Sequence, residues 1–262
     1  MSDDDYVLSH TATASERERL DLVAGSADPG TRRRLAELGI RPGWRCLEVG
    51  AGHGSIARWM AHQVGAQGRV VATDINPRLL VDIDLPNLEV RQHDIRTDSL
   101  EVDTYDLAHS RALLMHLAEP LRAVRSMAAA LGIGGWLLVE EPDFSSLRPI
   151  DSGHPRAASL NRRKEILERM MARSAVYNPY LGCRLRGLLE EAGLTEIGNE
   201  GVAHVARGGE LDGRMQSVTF QTLIQLGHMS QAESVELQKV YNDPTFSYVT
   251  PTMFAAWGKR AG

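Results

Sequence analysis

The stretch LEVGAGHG at residues 47–54 joins a short apolar segment to three closely spaced glycines. The apolar run from Trp44 to Val49 predicts a buried strand, and the apolar residues after the loop, Ile56 to Ala61, predict a helix. A strand, a glycine loop and a helix in this order present backbone N–H groups and a helix N-terminus to a ligand. The stretch therefore predicts a site for a nucleotide-like ligand.

The spacing of the glycines separates two classes of ligand. They fall at positions 50, 52 and 54, and Ser55 occupies the position that the dinucleotide fingerprint G-x-G-x-x-G reserves for its third glycine. Glu48, two residues before the first glycine, places a carboxylate beside the loop. A carboxylate there would repel a pyrophosphate, whereas it suits the ammonium of a methionyl group. The loop therefore favours S-adenosylmethionine over a dinucleotide.

Two later aspartates extend the predicted site. Asp74 lies 20 residues after Gly54, at the end of the second predicted strand, and Asp94 lies 20 residues further, at the end of the third. Because the carboxyl ends of parallel strands border the ligand crevice, we expect Glu48, Asp74 and Asp94 to lie in one line along it. There Asp74 can accept hydrogen bonds from ribose hydroxyls, and Asp94 can accept one from an adenine amino group.

Apolar strands alternate with helices in the first half of the chain, which is typical of an α/β protein with a parallel sheet covered on both faces. Strands are predicted at residues 44–49, 69–73, 88–91, 105–109 and 136–140, with the last stopped by Pro142. A helix is predicted at 13–38, interrupted near 26–30, and Asn76-Pro77 is expected to open another. Beyond residue 143, the pattern predicts helices at 156–173, 181–192, 215–227 and 230–241 and strands at 195–206 and 246–257.

The composition argues against several functional classes. Lys and Arg total 29 against 34 Asp and Glu, which gives a net charge of −5, so no broad surface for nucleic acid is expected. The densest basic run, Arg32-Arg33-Arg34, predicts a solvated helix face. Cys46 and Cys183 are far apart with no neighbouring ligand, so neither a disulfide nor a metal site is predicted. Residues 1–10 lack a secretory signal, and no apolar run reaches the ~18–20 residues that span a bilayer. These features predict a cytoplasmic protein.

The same motifs resemble the class I S-adenosylmethionine-dependent methyltransferases. The resemblance is nearest to the branch of ubiquinone/menaquinone-biosynthesis C-methyltransferases and natural-product methyltransferases, and it covers nearly the whole chain. Residues 47–54 match the first motif, and 73–74 and 93–95 match the second and third. The family's fourth-strand motif resembles residues 105–111 and 114–117. Its turn and fifth strand resemble residues 134–141, and its final antiparallel strand resembles residues 253–258. One departure is Ile133, since the family usually has proline before the glycine pair at 134–135.

The resemblance implies a fold and a set of cofactor-binding residues. The fold would be a Rossmann-like, seven-stranded, mostly parallel sheet with an antiparallel last strand. In a single domain, residues 1–40 would form a helical lid, 41–142 the cofactor-binding core, and 143–262 the acceptor-pocket helices and last two strands. Glu48 and the loop would hold the methionyl part, and Ser110 and Arg111 would lie beside the transferable methyl. The implied cofactor-binding residues are Tyr6, Glu48, Gly50, Ala51, Gly52, Asp74, Ile75, Asp94, Ile95, Ser110 and Arg111.

Methyl transfer needs few catalytic groups. The reaction displaces an already activated leaving group in line, so the protein mainly aligns the acceptor and excludes water. A general base is needed only where the acceptor must lose a proton. The candidates are His116 after the fourth strand, Glu141 at the end of the fifth, and His228 at the end of a later helix. Each could equally be structural: a core or loop histidine, or a turn cap in the case of Glu141.

An apolar and aromatic set on the later helices supplies candidates for acceptor binding. Tyr177, Phe220 and His228 are the predicted substrate-binding residues, although a set at helical spacing can equally form the core. His109 lies in an apolar strand and is expected to be a core residue. The predicted partner is a small, largely apolar or aromatic acceptor, with nucleic acid and a membrane span not expected.

Two other functions stay open from the sequence. A nicotinamide-dependent oxidoreductase is disfavoured by the glycine spacing and by Glu48. A protein that binds S-adenosylmethionine but catalyses a cyclisation, or acts only by binding, is also compatible with these motifs. The residues do not identify the acceptor, the atom that is methylated or the oligomeric state, and a homo-oligomer is compatible with them.

Overall fold

A computed structural model of the chain describes residues 13–174 and 176–262. These residues form ten strands: β1 (Arg45–Val49), β2 (Arg69–Asp74), β3 (Leu88–Gln92), β4 (Tyr105–Arg111), β5 (Leu131–Asp143), β6 (Arg148–Pro149), β7 (Thr195–Val202), β8 (Val205–Arg207), β9 (Ser247–Val249) and β10 (Thr252–Lys259). They also form seven α-helices: α1 (Thr13–Glu37), α2 (Ser55–Val64), α3 (Pro120–Ala130), α4 (Ala157–Arg173), α5 (Leu185–Glu191), α6 (Leu211–Gln225) and α7 (Gln231–Tyr241).

Seven of the strands build one sheet, in the order β3-β2-β1-β4-β5-β10-β7. The first five run parallel to one another, and β10 pairs antiparallel with both β5 and β7. This confirms the predicted Rossmann-like sheet with its antiparallel last strand. The strand order reverses between β1 and β4, and ligands of open α/β sheets bind outside the carboxyl ends of the strands at such a point.

The sheet forms because its central strands are almost continuously apolar. In β1, for example, Cys46, Leu47 and Val49 are buried. One hydrophobic cluster lies under α3, α5 and the later helices, and a second lies under α1 and α2. Such two-sided burial is what a parallel sheet requires, since helices cover both of its faces.

The first helix differs from the prediction in two ways. It was expected to be interrupted near residues 26–30, but α1 continues through Pro29. A proline inside a helix removes one backbone hydrogen bond and is destabilising; here side chains on both sides of it, Asp28 and Thr31, are tied to the sheet and hold the helix in place. The solvated face predicted for Arg32-Arg33-Arg34 is wrong for Arg34, whose side chain is buried in an ion pair with Glu140.

Several other boundaries also differ. Asn76-Pro77 opens only a single 3-10 turn, Pro77–Leu79, and no α-helix. The strands predicted at 195–206 and 246–257 are each divided, because β8 and β9 leave the main sheet and join β6 in a small antiparallel sheet. Pro142 does not stop β5, which continues to Asp143. Strand β4 ends at Arg111, which pairs with Glu140 of β5. Pro142 therefore has a neighbouring strand only on the β10 side. Because β4 does not reach Pro142, the missing N–H of this proline breaks no hydrogen bond to β4.

No helix in the described part of the chain is long and apolar enough to cross a membrane. The division into an N-terminal lid, a cofactor-binding core and an acceptor-pocket region within one domain stays a prediction.

Candidate functional site

The glycine loop lies between the end of β1 and the first residue of α2. Gly50, Gly52 and Gly54 have φ values of 73°, 59° and 77°, in the left-handed region that favours glycine. The backbone N–H groups of Gly50 and Ala51 donate to the carbonyl of Thr73 at the end of β2. A Cβ atom at Gly50 would lie 3.2 Å from a methyl carbon of Leu113. The loop is therefore tightly folded between two strand ends, with room for backbone alone.

Glu48 places a carboxylate beneath this loop. Its side chain is buried, with the residue 5% exposed, and it lines a cavity of about 810 Å³. One oxygen, Oε1, lies 3.6 Å from Nδ1 of His109, and the other, Oε2, is buried with no hydrogen-bond partner among the described residues. A buried carboxylate oxygen is costly unless it accepts a hydrogen bond. This oxygen fits the ammonium of a methionyl group, as the sequence predicts.

Asp74 lies at the end of the neighbouring strand and lines the same cavity. Its Oδ2 accepts a hydrogen bond from the N–H of Gly52 at 2.9 Å, and its Oδ1 accepts one from the N–H of Asn76 at 2.9 Å. Burial raises the pKa of Asp74 above its ordinary value, although these two N–H groups oppose the shift. A carboxylate oxygen has two lone pairs, so each oxygen retains capacity for a ribose hydroxyl. Ile75, the next residue, also lines the cavity.

Asp94 follows β3 and is held by a neighbouring arginine. Nε and Nη2 of Arg96 donate to its carboxylate at 2.8–3.1 Å, and this pairing lowers the pKa of Asp94. Asp94, Arg96 and the buried Ile95 all line the cavity. The ring nitrogens of His93, which lines it too, are buried without a partner in the described part of the chain. This end of the cavity offers polar groups and an apolar side chain to a base.

The three predicted acids thus meet along one cavity, with the glycine loop between them. Gly50, Ala51 and Gly52 complete this wall. Together the orphaned carboxylate oxygen, the tight loop and the row of acids fit S-adenosylmethionine. Tyr6, the predicted lid residue, lies outside the described residues.

The end of β4 differs from the arrangement that the resemblance implies. Ser110 is completely buried within the sheet and is not among the described residues that line the cavity. Arg111 does line it, but its guanidinium donates to Asp28 and Thr31 of α1 at 2.9 Å each. In this structure Arg111 therefore fastens α1 to the sheet.

A buried polar network that the sequence analysis missed lies behind Glu48. His109 is fully buried, with Nε2 3.2 Å from Oε2 of Glu140. Thr31 and Arg34 of α1 donate to the same carboxylate at 2.5 and 2.6 Å. Burial by itself lowers the pKa of His109, but Glu140 and Glu48 on either side outweigh it, and the pKa is raised. The network connects Glu48 to α1 through a histidine that favours its charged form.

One sequence signal could have identified this network. Glu48, His109 and Glu140 are polar residues within apolar strands, and in the sheet Glu48 lies beside His109 and Glu140 beside Arg111. Because charged side chains are seldom fully buried unless paired, polar residues at one level of adjacent strands indicate a buried cluster. The contribution of α1 had no comparable signal.

Glu141 supports the backbone after β4. Its side chain is fully buried and accepts hydrogen bonds from the N–H groups of Leu113, Leu114 and Met115 at 2.9, 2.6 and 3.4 Å. Burial raises the pKa of Glu141 to about 8, although these three N–H groups oppose the shift. Glu141 is not among the described residues that line the cavity. Its contacts match the structural alternative, a turn cap.

The remaining candidates divide into two groups. His116 and Tyr177 both line the cavity, with ring centroids 5.5 Å apart, and burial lowers the pKa of His116 to about 3. Phe220 and His228 are absent from the cavity lining that the described residues form. Phe220 packs against Tyr241 in the core, with ring centroids 5.5 Å apart. His228 lies just beyond the end of α6, half-buried.

No group of three or more His, Cys, Asp or Glu residues in the described ranges could hold a metal ion.

Apolar side chains from the later helices, including Met170 and Leu223, line the same cavity as His116 and Tyr177. The cavity is therefore lined by the glycine loop and its acids and also by residues of α4 and α6, of which Met170 and Leu223 are apolar and Arg163 and Asp212 are charged.

Several proteins with similar sequences are methyltransferases. Methyltransferase str3 of Strobilurus tenacellus is 28% identical over 188 residues, which are 71% of this chain and 65% of that protein. The ubiquinone/menaquinone biosynthesis C-methyltransferase UbiE of Pseudomonas fluorescens (strain Pf0-1) is 30% identical over 141 residues, 50% of this chain and 55% of that protein. The alignments thus span only part of each relative.

A solved structure shows the same fold at low sequence identity. Phosphoethanolamine N-methyltransferase 2 of Haemonchus contortus, in complex with phosphomonomethylethanolamine and S-adenosylhomocysteine, superposes with a TM-score of 0.62. It is 14% identical, and the match covers all of this chain and 61% of that one. The family described as "Methyltransferase domain" matches residues 17–197, more than half of the chain. The chain therefore belongs to the methyltransferase domain family, with the fold and motifs of the class I S-adenosylmethionine-dependent methyltransferases.

Proposed function

We propose that the chain transfers the methyl group of S-adenosylmethionine to a small, largely apolar or aromatic acceptor in natural-product or quinone biosynthesis. The observation that carries the proposal is one cavity that is lined both by the carboxylate of Glu48 and by side chains of α4 and α6, the apolar Met170 and Leu223 among them. The name of one relative, the ubiquinone/menaquinone biosynthesis C-methyltransferase UbiE, supports an acceptor of this kind. A cytoplasmic location and a homo-oligomer belong to the same proposal.

The cofactor-binding residues act by position. When bound, S-adenosylmethionine supplies a methyl group on a sulfonium, which needs no further activation by the protein. We expect Glu48 to accept hydrogen bonds from the ligand's ammonium, Asp74 from the ribose, and Asp94 from the base. Leu20 and Val23 of α1 line the cavity and help to exclude water from it. Arg111 contributes by fastening α1 over the site.

Among the three base candidates, His116 has the position that suits the task. It lines the cavity beside Tyr177, and burial keeps its imidazole in the neutral form from which a general base acts, but by lowering the pKa to about 3 it also makes His116 a weak base at pH 7. Glu141 instead holds backbone N–H groups, so we assign it a structural role. We assign substrate binding to Tyr177, because Phe220 and His228 are absent from the lining that the described residues form.

The experiment is a product assay. The chain is incubated with S-adenosylmethionine and a panel of phenolic, quinone-like and aliphatic acceptors, and S-adenosylhomocysteine is measured together with the mass of each acceptor. Methylation replaces a hydrogen by a methyl group and so adds one CH₂ unit, roughly 14 Da, to the acceptor. Formation of S-adenosylhomocysteine together with an acceptor that is heavier by this mass supports the proposal. A rearranged acceptor of unchanged mass, with the cofactor intact, would support the cyclisation alternative and contradict methyl transfer.

A further inference from the structure

Arg163 is a buried cation in the acceptor half of the cavity. It lies on α4, is 2% exposed and lines the cavity wall. Its Nε and Nη1 atoms are buried and donate no hydrogen bond to any described residue. A guanidinium carries five N–H donors in a planar fork and stays charged inside proteins. A buried arginine in this condition requires an acceptor from elsewhere.

The surroundings of Arg163 satisfy its charge only in part. Its guanidinium carbon lies 5.7 Å from the ring centroid of Phe144 and 5.1 Å from that of Phe220. The faces of these aromatic rings attract the positive charge of the guanidinium. The rings do not, however, accept the hydrogen bonds that its N–H groups donate in the guanidinium plane. They also make the neighbourhood apolar, which raises the cost of leaving the N–H groups without acceptors.

The carboxylate of Asp212 is near but is already in use. It accepts a hydrogen bond from the hydroxyl of Tyr248 at 2.8 Å. Burial raises the pKa of Asp212, and the charge of Arg163 opposes that shift, which shows that the two groups are within electrostatic range. Nevertheless no ion pair of 4.0 Å or less joins them in the described part of the chain. Arg163 lines the cavity, and its Nε and Nη1 remain without an acceptor among the described residues.

We propose that Arg163 binds a carboxylate group of the acceptor, which makes the methylated compound an otherwise apolar or aromatic carboxylic acid. This deepens the proposed function and rests on it. A carboxylate matches the planar fork with two parallel hydrogen bonds. A phosphate dianion fits less well, because a single arginine faces it and Asp212 is close by.

The neighbours of Arg163 assign it to the acceptor and not to the cofactor. Phe144, Phe220 and Asp212 all belong to the segment after β5, whereas the glycine loop and the three acids at its side come from the first three strands. The carboxylate of S-adenosylmethionine itself is expected near the loop, where arginines of α1 line the cavity. Loss of Arg163 should thus leave cofactor binding intact.

Paired probes test the inference. With S-adenosylhomocysteine present, the affinities of 4-hydroxybenzoate and octanoate are compared with those of their primary amides by ligand-observed NMR titration. We expect at least one acid to bind at least tenfold more tightly than its amide. Arg163→Met should remove this difference while changing the affinity of the amide less than threefold, and Arg163→Lys should restore part of it. Arg162→Met, an exposed neighbour on α4, is the matched control and should leave the difference unchanged.

Each contrary outcome has its own meaning. Acids and amides that bind equally to the unmodified chain would overturn the inference, as would an aryl phosphate that binds more tightly than the acids. Weaker binding of S-adenosylhomocysteine to Arg163→Met than to Arg162→Met would assign Arg163 to the cofactor and overturn it too. Absence of S-adenosylhomocysteine binding to the unmodified chain would instead contradict the proposed function itself.

Discussion

Glu48 is a buried carboxylate that we expect to contact the cofactor directly. One oxygen faces His109, and the other has no hydrogen-bond partner among the described residues, so we expect it to accept from the ligand's ammonium. A charge-assisted hydrogen bond of this kind contributes about 1.5–3 kcal/mol. Glu48→Gln should therefore bind S-adenosylhomocysteine about 10- to 100-fold more weakly in a calorimetric titration. Glu119→Gln, an exposed substitution at the start of α3, is the control, and equal affinities for the two variants would contradict the role of Glu48.

Glu141 makes stability depend on pH in a way that its amide would not. Its pKa is raised from an ordinary value of 4.5 to about 8 in the folded chain, because burial disfavours the carboxylate. The stabilisation is therefore complete below pH 4.5 and is lost as the pH rises towards 8, since the unfolded chain releases this proton first. For Glu141→Gln, the fall in the free energy of unfolding between pH 5 and pH 8 should be smaller by about 3 kcal/mol.

Urea unfolding at the two pH values measures this difference. Glu165→Gln, which changes an exposed side chain on α4, should retain the pH dependence of the unmodified chain. An unchanged pH dependence in Glu141→Gln would show that Glu141 ionises in the folded chain near its ordinary pKa. The comparison uses pH dependence and not absolute stability, because a buried amide has an energetic cost of its own at every pH.

Single residues also show where inference from the sequence stops. The positions of Glu48, Asp74 and Asp94 follow from the order of strands, since each acid ends a recognisable apolar run. The contacts of Arg34 and Arg163 do not follow from it, because they depend on how α1 and α4 dock against segments far away in the chain. The orientation of Phe220 into the core and Tyr177 into the cavity depends on the same docking.

Helix α1 covers an apolar cluster and is also held to the sheet by buried polar contacts. Arg34 donates to the buried Glu140, whereas its neighbour Arg33 pairs with Glu37 at the surface. Removing one partner of a buried ion pair destabilises by about 3–5 kcal/mol, while an exposed pair contributes about 0–1 kcal/mol. Arg34→Met should therefore lower the free energy of unfolding by several times more than Arg33→Met. Similar losses in the two variants, measured by urea unfolding, would show that the Glu140 network does not anchor α1.

The elements were predictable to different degrees for a physical reason. Strands β1 to β4 were predicted to within two residues, because burial on both faces makes them continuous apolar runs, whereas β5 extends well beyond the predicted 136–140. The continuity of α1 through Pro29 was not, since it depends on contacts with residues more than 80 positions away. The division of the later strands was missed as well, because pairing with β6, and not composition, draws β8 and β9 into a separate sheet.

At the scale of the molecule, one cavity is lined both by residues at the ends of the first strands and by residues of the later helices, and we propose that these form a cofactor end and an acceptor end. The residues of the proposed cofactor end could be chosen from spacing alone, because they meet at strand ends whose positions the fold determines. Those of the proposed acceptor end could not, since its lining depends on the packing of α4 and α6. The two ends make separate predictions, so the binding of the cofactor can be tested without knowledge of the acceptor.

The most direct test of the central claim is calorimetric titration of the unmodified chain with S-adenosylhomocysteine and, separately, with NAD. A carboxylate at the position of Glu48 favours the first ligand and repels the pyrophosphate of the second. We predict one-to-one binding of S-adenosylhomocysteine and no heat of binding with NAD. Binding of NAD without binding of S-adenosylhomocysteine would contradict the account.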